Sequence, residues 1–138
     1  MYQKTTLIGH LGRDPEMRFL PSGSPVVRFS LATSDRWTNH DGQPQVRITW
    51  WQITTYGKLA EICHQYLHKG ARLLVEGRLT ADPQTGGPRM WTDSHGQARA
   101  AFELIALTVR FLSPRRADQP AIDDAVSEET SHDNQNLI

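Results

Sequence analysis

Cysteine is almost missing from this chain: Cys63 stands alone among 138 residues. One thiol excludes an intramolecular disulfide and a cysteine-based zinc site, so burial must hold the core together. Long apolar runs are missing as well. The longest, Leu104 to Leu107, has four residues, against the roughly 18 or more of a membrane-spanning helix. Patterned sequence begins by Thr5 and Leu7, which leaves no space for a secretory signal or an arginine-rich transit peptide, so a cytoplasmic protein is expected. There is no GxxxxGK[ST] phosphate loop, and the glycines of Gly9-His10-Leu11-Gly12 have the wrong spacing for GxGxxG. His64 and His68 are four residues apart, but no HExxH arrangement surrounds them and no third ligand lies nearby, so no metal is expected. No catalytic constellation is present, and the chain reads as a non-enzyme without a cofactor.

Net charge is absent too, with fifteen Lys and Arg against fifteen Asp and Glu. The balance conceals an asymmetry. Residues 1–116 hold all fifteen basic side chains and nine acids, whereas residues 117–138 hold six acids and no Lys or Arg. A basic body therefore carries an acidic tail. The tail has no aromatic residue and no sustained period, so it buries too little to offset the entropy of ordering, and it is expected to lack regular structure. The alternative there is a solvated helix through Asp123 to Thr130. A negatively charged tail should also compete with any other polyanion for the basic surface of the body, most strongly at low salt.

What is present is strand periodicity. Leu7, Gly9 and Leu11 alternate with Thr6, Ile8 and His10 up to Asp14-Pro15. Val27, Phe29 and Leu31 alternate with Arg28, Ser30 and Ala32. A third strand, Val46 to Tyr56, is rich in β-branched and aromatic residues, and Asp41-Gly42 before it predicts a hairpin with the second. The period then changes: Leu59, Ile62, Cys63, Tyr66 and Leu67 form one face of a helix over 58–67, with Gly70 as its left-handed stop. On that face Cys63 reads as a buried, inert thiol. Strands resume with Leu73, Val75 and Leu79 and with Phe102 to Phe111, separated by a loop that carries Trp91. Three strands, a helix and two strands is the order of an all-β OB-fold, a five-stranded partly open barrel with the helix between strands three and four. Another small β-barrel or β-sandwich is the runner-up.

The chemical signal is aromatic residues interleaved with arginine. Trp37 lies in SDRWTNHDG beside Arg36, and Trp91 in GPRMWTDSHG beside Arg89. Trp50 and Trp51 are consecutive, so in a strand they face opposite ways. Trp50 shares parity with Tyr56 and is assigned to the ligand face; Trp51 is assigned to packing or a subunit contact. The alternative for each ring is a partly buried core or edge position. Stacking on tryptophan contributes about 1–3 kcal/mol per base and is tolerant of sequence, while basic side chains follow the phosphates. The candidate phosphate contacts are Lys4, Arg13, Arg18, Arg28, Arg36, Arg47, Arg72, Arg78, Arg89 and Arg99.

Three stretches, LIGHLGRDPEMRFLPSGSPVVRFSLATSDRW, YGKLAEICHQYLHKGARLLVEGRL and WTDSHGQARAAFEL, closely resemble the bacterial-type single-stranded DNA-binding proteins, over residues 1 to about 112. The resemblance implies an OB-fold domain over 1–112 and a flexible acidic tail over 113–138. It also implies a homotetramer that coats single-stranded DNA in replication, recombination and repair. Trp37, Trp50, Tyr56 and Trp91 match the family's base-stacking aromatics. The chain departs from the family pattern at its end: SHDNQNLI replaces an acidic tip containing proline and phenylalanine that docks replication and repair proteins. Asp123, Asp124, Glu128 and Glu129 keep the acidity, and Leu137 and Ile138 supply a degenerate apolar tip. The segment Ala81 to Arg89 is also longer than the usual connection before Trp91. The altered tail leaves open a specialised accessory protein of a primosome, plasmid or conjugation system.

Overall fold

In a strand, successive side chains point to opposite faces, so one residue parity can be sealed while the other stays accessible. A computed structural model, which describes residues 1–113 and the backbone of residues 125–127, shows this sorting most plainly over residues 6–11 and 72–77. The elements are β1 (Thr5–Leu11), β2 (Glu16–Phe19), β3 (Pro25–Thr38), β4 (Pro44–Tyr56), α1 (Gly57–Tyr66), β5 (Arg72–Thr80), β6 (Arg89–Thr92), β7 (Ala98–Phe111) and β8 (Ala125–Ser127). Strand order is β1-β5-β7-β4-β3-β2, and β1 also pairs with β3 at His10–Ala32 and Leu11–Leu31. That last pairing closes β1, β5, β7, β4 and β3 into a barrel, with β2 an added edge strand on β3. Among the described residues, the all-β expectation of an OB-fold barrel with one helix holds.

The interior is filled by one parity. Leu7, Leu11, Val27, Phe29, Leu31, Ile53, Leu73, Val75 and Leu104 are all buried. Thr55 is also sealed inside, but its hydroxyl donates to the Val27 carbonyl at 3.0 Å, so no polar group is left unpaired there. Helix α1 contributes Leu59, Ala60 and Cys63 to the same cluster. Along β7 the buried parity switches from Leu104 and Ala106 to Val109, because a register shift opposite Glu76 and Gly77 leaves Leu107 unpaired. Where β1 passes from β5 to β3, a Cβ on Gly9 would lie 2.2 Å from the Ala32 carbonyl oxygen, so only glycine permits that approach.

Several boundaries differ from the sequence reading. Helix α1 ends at Tyr66, with Leu67 already extended at φ −86° and ψ 147°. Gly70 is left-handed at φ +86° but serves a later turn into β5, where its N–H donates to the Leu11 carbonyl. Leu79 shares parity with Leu73 and Val75, yet it is exposed because it lies past the sealed part of the barrel. Arg89–Thr92, expected as loop, is a strand paired with Ala98–Ala101. Within the tail, Ala125–Ser127 pairs antiparallel with Thr108–Arg110. β4 pairs with β7 only as far as Thr54–Ile105, which leaves an open strand edge just beyond. Asp123, Asp124, Glu128, Glu129, Leu137 and Ile138 lie outside the described residues.

Candidate nucleic-acid interface

Directly paired residues in a sheet present their side chains on the same side. On the outer face this builds rows that cross the strands. One row contains Arg18, Val26 and Tyr56; the next contains Glu16, Arg28, Thr54, Ile105 and Arg78. A third contains Ser30, Gln52 and Glu103, and a fourth Ala32 and Trp50. Trp50 and Tyr56 thus share a face with Arg18, Arg28 and Arg78, although the three arginines lie far apart in sequence. Trp51 points to the other side. Its ring centroid lies 5.3 Å from that of Phe102, and its Nε1–H donates to the Thr33 hydroxyl at 3.0 Å. That is a packing position.

On the outer face a cavity of about 300 Å³ is lined by Arg13, Asp14, Glu16, Arg28, Ser30, Gln52, Arg89 and Trp91, among others. Its floor is polar: the Gln52 amide donates to the Ser30 hydroxyl at 3.1 Å. Strands β6 and β7 carry one wall. Arg89 Nε donates to Glu103 at 2.6 Å, which holds the guanidinium carbon 4.7 Å from the centre of the Trp91 ring. Trp91 is 41% exposed. The β6–β7 turn is held by Asp93, whose carboxylate accepts from the backbone N–H groups of His95 and Gln97 and from Arg99 Nε at 2.8 Å. The Arg99 hydrogen bond, then the Gln97 N–H, hold the Asp93 carboxyl below its ordinary pKa.

The distal half of the β3–β4 hairpin, about residues 33–49, runs past the barrel. Asn39 ties its turn, accepting from the N–H groups of Asp41 and Gln43. Here both faces are open. Val46, Ile48 and Trp50 line one, and Trp50 is 51% exposed. Trp37, 42% exposed, lies on the other with the Arg47 guanidinium 5.0 Å from its ring centre. Trp37 and Trp50 therefore occupy opposite sides of the same hairpin, and Arg36 is on the Trp50 side, opposite Val46.

The basic candidates separate accordingly. Arg13, Arg28 and Arg89 meet at the cavity, Arg18 and Arg78 extend its face, and Arg36 and Arg47 flank the hairpin. Arg99 is tied to Asp93. Lys4 bonds Glu76 at 2.7 Å, and that carboxylate raises the ammonium pKa. Neither Lys4 nor Arg72 lines the cavity. The sequence reading missed Ser30 and Gln52 as lining residues. Gln52 has the parity of Trp50 and Tyr56, a signal that could have found it. Among the described residues, no three His, Cys, Asp or Glu side chains group to hold a metal, and no helix is long and apolar enough to cross a membrane.

A barrel sealed inside and bearing half-exposed indoles beside arginines outside defines a class: an OB-fold with a nucleic-acid-type surface. The sequence pattern of the single-strand binding protein family matches residues 2–112, and the chain belongs to that family. A single-stranded DNA-binding protein of Neisseria meningitidis is 42% identical over 112 residues, which are 81% of this chain and 60% of the relative. Single-stranded DNA-binding protein 1 of Chlorobaculum tepidum is 43% identical over 113 residues, covering 81% and 65%. The chain thus spans about 60% of the length of the Neisseria relative. Among solved structures, the Plasmodium falciparum SSB in complex with ssDNA superimposes with a TM-score of 0.60 at 28% identity, over 76% of this chain and 88% of that one. A deletion mutant of the single-stranded DNA-binding protein from Thermus aquaticus gives 0.62 at 27%, over 81% and 51%.

Proposed function

We propose that this chain binds single-stranded DNA without reading its sequence and coats unpaired strands in replication, recombination and repair. The observation that carries this reading is the set of half-exposed indoles, Trp37, Trp50 and Trp91, on the outside of a barrel with a sealed interior, with Arg47 over the Trp37 ring and Arg89 over that of Trp91. Bases stack on these rings and on Tyr56, and the phosphates run along Arg13, Arg18, Arg28, Arg36, Arg47, Arg78 and Arg89. Lys4, Arg72 and Arg99 add positive field rather than phosphate contacts. Because Trp37 and Trp50 sit on opposite sides of one hairpin, a strand that uses both must wrap around it instead of lying across a flat surface. Residues 1–112 form the binding unit. The chain acts by binding alone, without cofactor or catalysis, as a cytoplasmic homotetramer. Family membership and the ssDNA-bound Plasmodium neighbour support this reading.

Titration of the full chain with oligo-dT, matched RNA and duplex DNA, followed by tryptophan fluorescence across a salt series, tests it. Expected are strong quenching by oligo-dT, weaker quenching by duplex, and affinity that falls as salt rises because phosphate contacts release counterions. Quenching by duplex as strong as by oligo-dT, or affinity indifferent to salt, would overturn the reading. Native mass measurement of the free protein tests the tetramer.

A further inference from the structure

One side of the Trp50 indole rests on protein. A Cβ placed on Gly12 would lie 2.6 Å from Cζ3 and 2.8 Å from Cη2 of that ring, well inside the roughly 3.5–4.0 Å of a carbon–carbon contact. Backbone conformation does not explain the glycine, since Gly12 is not among the residues with positive φ. Its position is also pinned. The Gly12 N–H donates to the Ser30 carbonyl at 3.1 Å, and the preceding residue, Leu11, is buried with its N–H bonded to the Ala71 carbonyl at 3.0 Å. A side chain at position 12 could therefore be accommodated only by moving the ring, which is 51% exposed.

We propose that Gly12 is a positioning residue for DNA binding: it is the seat on which the benzo ring of Trp50 lies, and it fixes that indole in one orientation before a base arrives. The proposal rests on Trp50 being a stacking ring. Its physical content is preorganisation. A half-exposed tryptophan free to change rotamer must be immobilised on binding, whereas a seated one has already lost that freedom. The seat also selects which ring face is offered, since the covered one cannot stack. Gly12→Ala should then act with opposite signs on stability and affinity. Alanine at a permissive backbone position restricts the unfolded chain and does not destabilise the fold once the exposed ring swings away. The displaced ring, however, no longer meets the strand.

The test compares the parent chain, Gly12→Ala, Trp50→Phe and the double variant in oligo-dT affinity and thermal midpoint. Gly12→Ala should lose about ten-fold in affinity, within the range of one stacked base, with an unchanged or slightly raised midpoint. In the Trp50→Phe background, which lacks both clashing atoms, the same substitution should cost nothing further. Unchanged affinity for Gly12→Ala, an equal loss in both backgrounds, or a collapsed midpoint in both would overturn the proposal. Near-ultraviolet circular dichroism of the DNA-free proteins distinguishes this from failure of the stacking assignment itself. The Trp50 contribution, parent minus Trp50→Phe, should diminish in Gly12→Ala whether or not DNA binds, and an unaltered contribution would overturn the seat.

Discussion

Strand β3 runs through two environments without changing its alternation. In its first half, Val27, Phe29 and Leu31 are sealed against the helix and the opposite wall. Past the barrel the same parity leads to Trp37, which is 42% exposed. Nothing local distinguishes the two halves as strand; what differs is whether another layer faces them. An apolar side chain under a second layer contributes to folding, and the same kind of side chain without one is left for a ligand.

The largest effects should separate these halves. Leu31→Ala empties a fully buried site and should cost about 2–5 kcal/mol of stability, seen as a lower midpoint in denaturant, while the folded fraction keeps its oligo-dT affinity. Trp50→Ala should do the reverse, losing about 1–3 kcal/mol of binding with little change in that midpoint. If Trp50→Ala unfolded the protein, or left affinity intact, the division would fail. A smaller effect is expected at Arg47, which lies over Trp37. Arg47→Ala should reduce the slope of log affinity against log salt by about one if the side chain also meets a phosphate. An unaltered slope with weakened binding would assign Arg47 to orienting Trp37 alone.

The smallest effect concerns the β6–β7 turn that carries Trp91. Because the Asp93 carboxyl is held below its ordinary pKa, first by Arg99, its contribution is complete above the ordinary carboxylate value and is lost as pH falls through the lowered one. Acidification across that window should lower the protection of the His95 and Gln97 amides, whose N–H groups Asp93 accepts, when exchange is taken relative to the intrinsic rate at each pH. Asp93→Ala should leave both amides poorly protected at every pH. A protection factor that does not change with pH in the parent chain would show that the turn does not rely on this carboxylate.

Much of the fold was legible because strand periodicity is a local property. The alternation in Thr6 to Leu11 and in Val27 to Ala32 specified both the strands and their buried faces, the β-branched and aromatic content of Val46 to Tyr56 marked the third strand, and the change of period at Leu59 marked the helix. The opposite orientations of Trp50 and Trp51 followed from their adjacency alone. Arg89–Thr92 was missed because a four-residue strand has too few positions to show a period, and its existence depends on Ala98–Ala101 being alongside. Ala125–Ser127 escaped notice for a similar reason: an open edge on β7, rather than a pattern in the tail, makes it a strand.

The sequence by itself determined which residues alternate, where the helix interrupts them, and that a basic, aromatic-bearing body precedes an acidic tail, since each depends only on neighbours along the chain. Only the tertiary structure decided which arginines gather at one cavity, that Trp37 and Trp50 occupy opposite sides of a hairpin, and that Gly12 lies beneath the Trp50 ring. Those relations are made by barrel closure, which brings together residues separated by tens of positions, and no local periodicity encodes them.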